Sequence, residues 1–463
     1  MGLSKKQIQH LYWRAGFGVD PSDLKQKEGK SIELLVDDLF KKSKNVTPLH
    51  VNLKAFEVDQ QQLSQKEKKA LRKLMNKTVL ELDVLWMSQM ASTREVLREK
   101  LTFFFHDHFA VRMNSPRANL HLNNLLREYA LGNFGELLLE VSKSPAMISF
   151  LNNQQNKKDH PNENFAREIM ELFTLGRDNG YTEIDIHEAA RAFTGWRFNK
   201  EGQFIQRQRI HDTGSKTFLG ETGNFNGEDI IRIILEKRQT ARYLTEKLVD
   251  FFIGREIPAN IMEDFTSTFF DSNYDISALV RAILLSPEFM DETTIGCKIK
   301  SPTELLVGMT RLFEIDYKDP KILIHLQRKL NQLLFFPPNV AGWSGGKSWI
   351  DSSTLMLRLK LASALLNFGV IEWDEKGDLP EQVVIRIEKQ RDSVKKKTEK
   401  RVKAYPNWNA FEKKMKNEEA DLLAFLIQPK LSAGASETLK ISDSESLKDR
   451  AIEILSLPEY QLF

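Results

Sequence analysis

The chain has 463 residues, 41% hydrophobic and 28% charged, the balance of a soluble globular protein with a sizeable core. Gly (23) and Pro (15) together make up only about 8% of residues, which argues for long helices over many short strands. A net charge of +3 announces no nucleic-acid or membrane partner, and the single cysteine, Cys297, excludes an intrachain disulfide framework and a cysteine-based metal site.

The N-terminus carries Lys5, Lys6, Gln7 and Gln9 where a signal peptide needs an apolar run, and no stretch reaches the roughly 18 apolar residues of a membrane span. The expected location is cytoplasmic. Gly2 lacks the downstream Ser/Thr of a myristoylation signal.

Residues 78–109 place Leu80, Val84, Met87, Leu97, Leu101 and Phe105 at three- and four-residue spacings, which predicts helix. Asn162 or Pro161 opens a helix to about Leu175, stopped by Gly176; Thr182 with Asp185 caps another to about Thr194. Residues 203–210 read as a short hairpin arm, and 240–253 and 276–285 as amphipathic helices. Ser144-Pro145, Ser286-Pro287 and Leu457-Pro458 each follow an apolar helix and read as recurring punctuation.

From Ile385 to Asp421 twelve Lys/Arg face seven Asp/Glu with few aromatics, the pattern of a solvated helical hairpin; a nucleic-acid patch over 389–416 is disfavoured. The Ser-rich residues 431–447 read as a loop. The expected class is all-α: a large multi-helical domain over 1–375 and a charged helical C-terminal region over 376–463, with few or no strands.

Three segments concentrate reactive groups. Asn164, Arg167, Glu168 and Glu171 fall at i, i+3, i+4 and i+7, one stripe of a helix flanked by Phe165, Ile169 and Met170. Part of that stripe should face inward, where a carboxylate needs a charge partner such as Arg167 or Arg191. His106 and His108 lie two apart among phenylalanines, so a helix would point them in different directions. Among phenylalanines a lone histidine is more often a core residue donating to a carbonyl than a ligand. The loop from His211 and Asp212 to Lys216 is dense in groups that bind anions or metals, and also suits a turn capped by Asp212 and Thr213.

Three motif matches fail on spacing or context. His187-Glu188 lacks the second histidine of a zincin helix, because Arg191 stands there. Gly214-Ser215-Lys216-Thr217 lacks the first glycine of a phosphate loop. Gly342-Trp343-Ser344-Gly345-Gly346 lacks the strand that a nucleophile elbow requires.

These motifs carry a family resemblance. His10 to Gly18, Phe104 to Phe109, Asn164 to Gly176, Gly180 to Glu183, Ala189 to Trp196, His211 to Lys216 and Pro337 to Trp343 resemble the bacterial domain of unknown function 1800 family over about residues 3–365. The chain departs at Ser344, where the family often has proline, and at Asp107, where it often has asparagine. The resemblance implies no particular reaction.

Two functions fit these readings. One is a metal-assisted hydrolase, with Glu168 and Glu171 as bases or ligands and Arg167, Arg191 and Asn164 on substrate or carboxylates. Its divalent metal would sit on His106, His108, His211 or Asp212. The other is a non-catalytic scaffold or binding protein in which Arg167–Glu168 and Arg191–Glu188 are structural ion pairs. The expected partner is a small molecule or a protein, with no membrane.

Overall fold

Helices begin where polar caps meet the backbone. Ser4, Ser64, Thr182 and Ser301 each accept from the amide three residues on and complete a capping box. Ser144 and Ser286 do more than stop a helix: each caps the next one, Pro145–Phe150 and Pro287–Met290, with proline at the first helical position.

The computed structural model describes residues 2–58, 62–368, 370–373, 398–417, 421–440 and 446–463. Helices dominate, as the periodicity predicts. The strands among the described residues form four short antiparallel pairs. One, Trp196–Phe198 with Phe204–Gln206, realises the expected hairpin arm. Another joins Asp316–Tyr317 to Ala404–Tyr405. No helix among the described residues is long and apolar enough to cross a membrane.

Four expectations need correction. The run 78–109 breaks at 93–95 into helices Gln65–Ser92 and Val96–His108. The helix expected to Leu175 is α-helical only over Asn164–Glu168 and continues as a π-helix, Ile169–Thr174, in which Thr174 Oγ1 donates to the Ile169 carbonyl at 2.6 Å. Within 385–421 the described residues form strands Thr398–Arg401 and Ala404–Tyr405 before helix Trp408–Asn417, while 385–397 and 418–420 lie outside the described residues. The Ser-rich stretch holds a helix, Ala433–Lys440, because Ala435 and Leu439 find apolar contacts that composition does not reveal.

Val96–His108 is the hub. Every residue of it except Asp107 is buried, so its polar side chains need internal partners. Glu99 accepts from Arg127 Nε at 2.5 Å, Trp86 Nε1 at 2.8 Å and Gln89 Nε2 at 2.9 Å. Lys100 pairs with Glu304, and Arg98 donates to the carbonyls of Ser43, Arg127 and Glu128. The described C-terminal helices share this core: Leu422–Leu426 packs on Lys5–Arg14, and Leu447–Leu455 on Ser352–Leu366.

Candidate functional site

Helix Glu183–Ala192 organises two of the three polar segments. At its C-terminal end Arg191 donates Nε to Asp212 Oδ2 at 2.7 Å and Nη2 to Oδ1 at 3.2 Å, while Nη1 reaches both oxygens of Glu188. Burial would raise the Asp212 carboxyl, but Arg191 and the Gly214 amide hold it below the usual carboxylate range. Lys216 folds back to donate to the carbonyls of Asp212 and Gly214, and the Thr217 amide donates to Glu188. Gly214 lets this happen, since a Cβ there would stand 2.9 Å from Arg191 Nη2. The loop thus spends its polar groups on itself and on this helix.

His211 is buried beneath that loop and donates Nδ1–H to the Thr194 carbonyl at 2.8 Å. Such a bond leaves Nε2 as the bare nitrogen, the orientation of a ligand imidazole. Among the described residues no group of three His, Cys, Asp or Glu side chains is disposed to hold a metal ion.

The other end of the same helix, about 12 Å away, meets the stripe. Arg167 makes a two-pronged contact with Glu183, at 2.8 and 2.6 Å, and reaches Glu163 at 3.3 Å and Glu171 at 3.5 Å. Arg177 takes the second oxygen of Glu171 at 3.3 Å. The expected Arg167–Glu168 pair does not form, while Arg191–Glu188 does. Asn164 is exposed at the start of the helix. Glu168 alone of these carboxylates has neither ion pair nor hydrogen bond among the described residues. Half-burial, reinforced by Glu171, raises its carboxyl above the ordinary value despite Arg167 and Arg177.

The histidine segment lies against the π-helix at Phe173 and meets the loop that carries Pro337 to Trp343. His106 Nε2 accepts the Phe335 amide at 3.2 Å, and its ring lies 5.9 Å from that of Trp343. Burial, then Arg127, lowers it to about 3, so it stays neutral. His108 Nε2 donates to the Phe173 carbonyl at 3.1 Å, the core-histidine role. Between them Asp107 Oδ1 accepts the Trp343 amide at 2.8 Å. Burial pushes Asp107 up to about 6, against the pull of that amide, Lys247 and Lys298. The sequence singles out its two histidine neighbours as candidate ligands and marks Asp107 only as a departure from the family pattern; its position between two motif histidines was the available signal.

A cleft of about 530 Å³ opens on another side of the hub, and none of the candidate residues above lines it. Trp13 and Phe17 form one wall, Met87 and Ala91 another, with Arg311 and Tyr317 closing it. Tyr317 Oη meets Thr310 Oγ1 at 2.8 Å, and Arg311 Nη1 is fixed on the carbonyls of Ala91 and Thr93. At the rim Lys414 bridges Asp20 and Glu314 at 2.6 and 2.8 Å. Gly308 sits so close to the Trp13 indole that a Cβ would stand 2.3 Å from its ring. The lining combines apolar and aromatic walls with fixed polar groups. The segment His10 to Gly18 was the available sequence signal, but its partners come from distant stretches, Met87 and Ala91 on one side and Arg311 and Tyr317 about 300 residues on.

The family described as "Protein of unknown function (DUF1800)" matches residues 10–462, so the chain belongs to it. No curated protein and no solved structure matches the chain.

Proposed function

We propose that this DUF1800 family member is a non-catalytic helical binding protein that takes a mainly apolar small molecule in the cleft between Trp13, Met87 and Tyr317. The cleft itself carries the reading. Its volume falls within the range of ligand sites, and its walls come from separate stretches of chain held by buried ion pairs. The polar motifs support it too, since Arg191, Asp212 and Glu188 close on one another. Titration with anilinonaphthalene sulfonate, a fluorescent apolar probe, tests it. Saturable one-to-one binding to the wild type is expected, lost in Ser88→Trp, whose exposed parent residue lines the cleft. Equal binding in both proteins overturns the reading.

Hydrolysis is the second reading, favoured by one observation: Glu168 is half-buried, unpaired and raised, the condition of a general base. Arg167 and Arg177 would hold an anionic substrate beside it. Its metal-assisted form would use His211 Nε2. Turnover of p-nitrophenyl phosphate and p-nitrophenyl acetate, abolished in Glu168→Gln, supports the first form. A stoichiometric metal in tag-free protein, lost in His211→Ala, supports the second. Unchanged turnover and metal content in these variants remove both.

A further inference from the structure

The long helix Gln65–Ser92 has two halves of different character. All of its buried residues fall at Thr78 or later, and residues 65–77 include none. That first half, about 20 Å of helix, is set by its own capping box at Ser64 and Glu67. It carries Lys66, Lys68, Lys69, Arg72, Lys73 and Lys77 against the single acid Glu67, which the capping box already uses. Its local excess of +5 exceeds the net +3 of the whole chain.

The cations are ordered. Lys66, Lys69, Lys73 and Lys77 follow one another at i, i+3, i+7 and i+11, a single stripe about 16 Å long. All four are exposed, with Arg72 exposed beside them. Lys77 pairs with Glu81 at 3.3 Å. Lys66, Lys69, Arg72 and Lys73 have no carboxylate partner among the described residues. Leu71 and Met75 lie on the opposite side and are half-covered by the protein, and the segment has no aromatic residue.

We propose that this stripe is a docking surface for the phosphate backbone of nucleic acid, bound without regard to sequence. Charge complementarity selects a polyanion, because a row of four ammonium groups, three of them without a carboxylate partner among the described residues, is answered by a regular row of negative charges. A lipid surface fits less well: interfacial helices bury a wide apolar face with Trp, Phe or Leu, and here Leu71 and Met75 are half-covered by the protein, which leaves Leu74 as the one large exposed apolar residue of the segment. The stripe offers lysines and no planar side chain suited to base edges, so recognition stays with the backbone. This surface is separate from the cleft, and its test does not depend on the cleft.

The experiment uses the full chain and a labelled mixed-sequence DNA duplex, with fluorescence anisotropy read between about 50 and 200 mM salt. One variant combines Lys66→Gln, Lys69→Gln and Lys73→Gln. A control carries the same charge change at scattered exposed sites, Lys41→Gln, Lys158→Gln and Lys430→Gln. Wild type and control are expected to bind, with affinity falling steeply as salt rises. The stripe variant is expected to bind at least tenfold more weakly, its log–log salt slope reduced by about three. No duplex binding, an equal loss in both variants, or tighter binding to phosphatidylserine vesicles than to the duplex would overturn the assignment.

Discussion

Asp107 Oδ1 accepts the backbone N–H of Trp343 at 2.8 Å, and a Cβ on Gly342, whose φ is +78°, would stand 2.1 Å from that same oxygen. Two segments more than 200 residues apart in sequence thus meet through a carboxylate and a glycine. A side chain at 342 would both strain the backbone and displace the acceptor. The arrangement holds the 335–343 loop over the end of the hub helix.

The first prediction concerns the charge on that acceptor. Its carboxyl is raised from 3.8 to about 6, with burial as the largest cause. A raised acid in the folded state favours the protonated form, so stability falls as pH climbs from about 4 to 6 and stays reduced above it. Asp107→Asn keeps an oxygen acceptor and removes the charge. It should raise stability by up to about 3 kcal/mol near pH 8 and by little near pH 4. Urea unfolding at both pH values reads this, and an equal effect at both would contradict it.

Removing the buried partner of Arg127 should do the reverse. Glu99 and Arg127 are both fully buried, and Glu99 also satisfies Trp86 and Gln89. Glu99→Ala leaves an uncompensated guanidinium in the core and should cost roughly 3–5 kcal/mol. A midpoint shift in guanidinium chloride well below that range would show that water relieves the charge.

Glu168→Gln should behave differently. Arg167 is held by Glu183, Glu163 and Glu171, so no cation is orphaned. The folded state already disfavours the ionised form of Glu168. We expect stability near neutral pH to be unchanged or slightly raised, within about 1 kcal/mol. Glu183→Gln, on the exposed side of the pair, should cost no more than about 1 kcal/mol. A loss of several kcal/mol from Glu168→Gln, measured by thermal unfolding, would mark it as a structural partner after all.

Gly308→Ala forces a methyl group into the Trp13 indole. The expected overpacking penalty is about 1–3 kcal/mol. Because the indole forms a wall of the cleft, the same variant should weaken dye binding, whereas Asp107→Asn should leave it intact. Loss of binding in both would point to a general loosening of the fold.

Much of the secondary structure was legible along the chain, because its signals are local. Thr182 with Asp185 caps its helix as their spacing predicts, and helices Arg238–Phe252 and Ile276–Leu285 lie where periodicity puts them. The π-helix was not legible, since Ile169, Met170, Phe173 and Thr174 can all be buried together only when neighbouring helices surround the turn. Gly176 follows it at φ +85°, with the Tyr243 ring 2.9 Å from where a Cβ would be.

The candidate site divides along the same line. Composition, charge density and motif spacing picked out Arg167, Arg191, Asp212 and the two histidines from residues a few positions apart, and the Arg191–Glu188 pair follows from i, i+3 spacing. Only the tertiary structure decided that Arg167 pairs with Glu183 and leaves Glu168 free. It also set Asp107 on the Trp343 amide with the His106 ring beside that indole, and made Trp13, Met87 and Tyr317 share a cleft. The reason is physical: a sequence fixes which groups a helix presents every three or four residues. Which of them lose water, and to which distant partner, depends on how the helices pack.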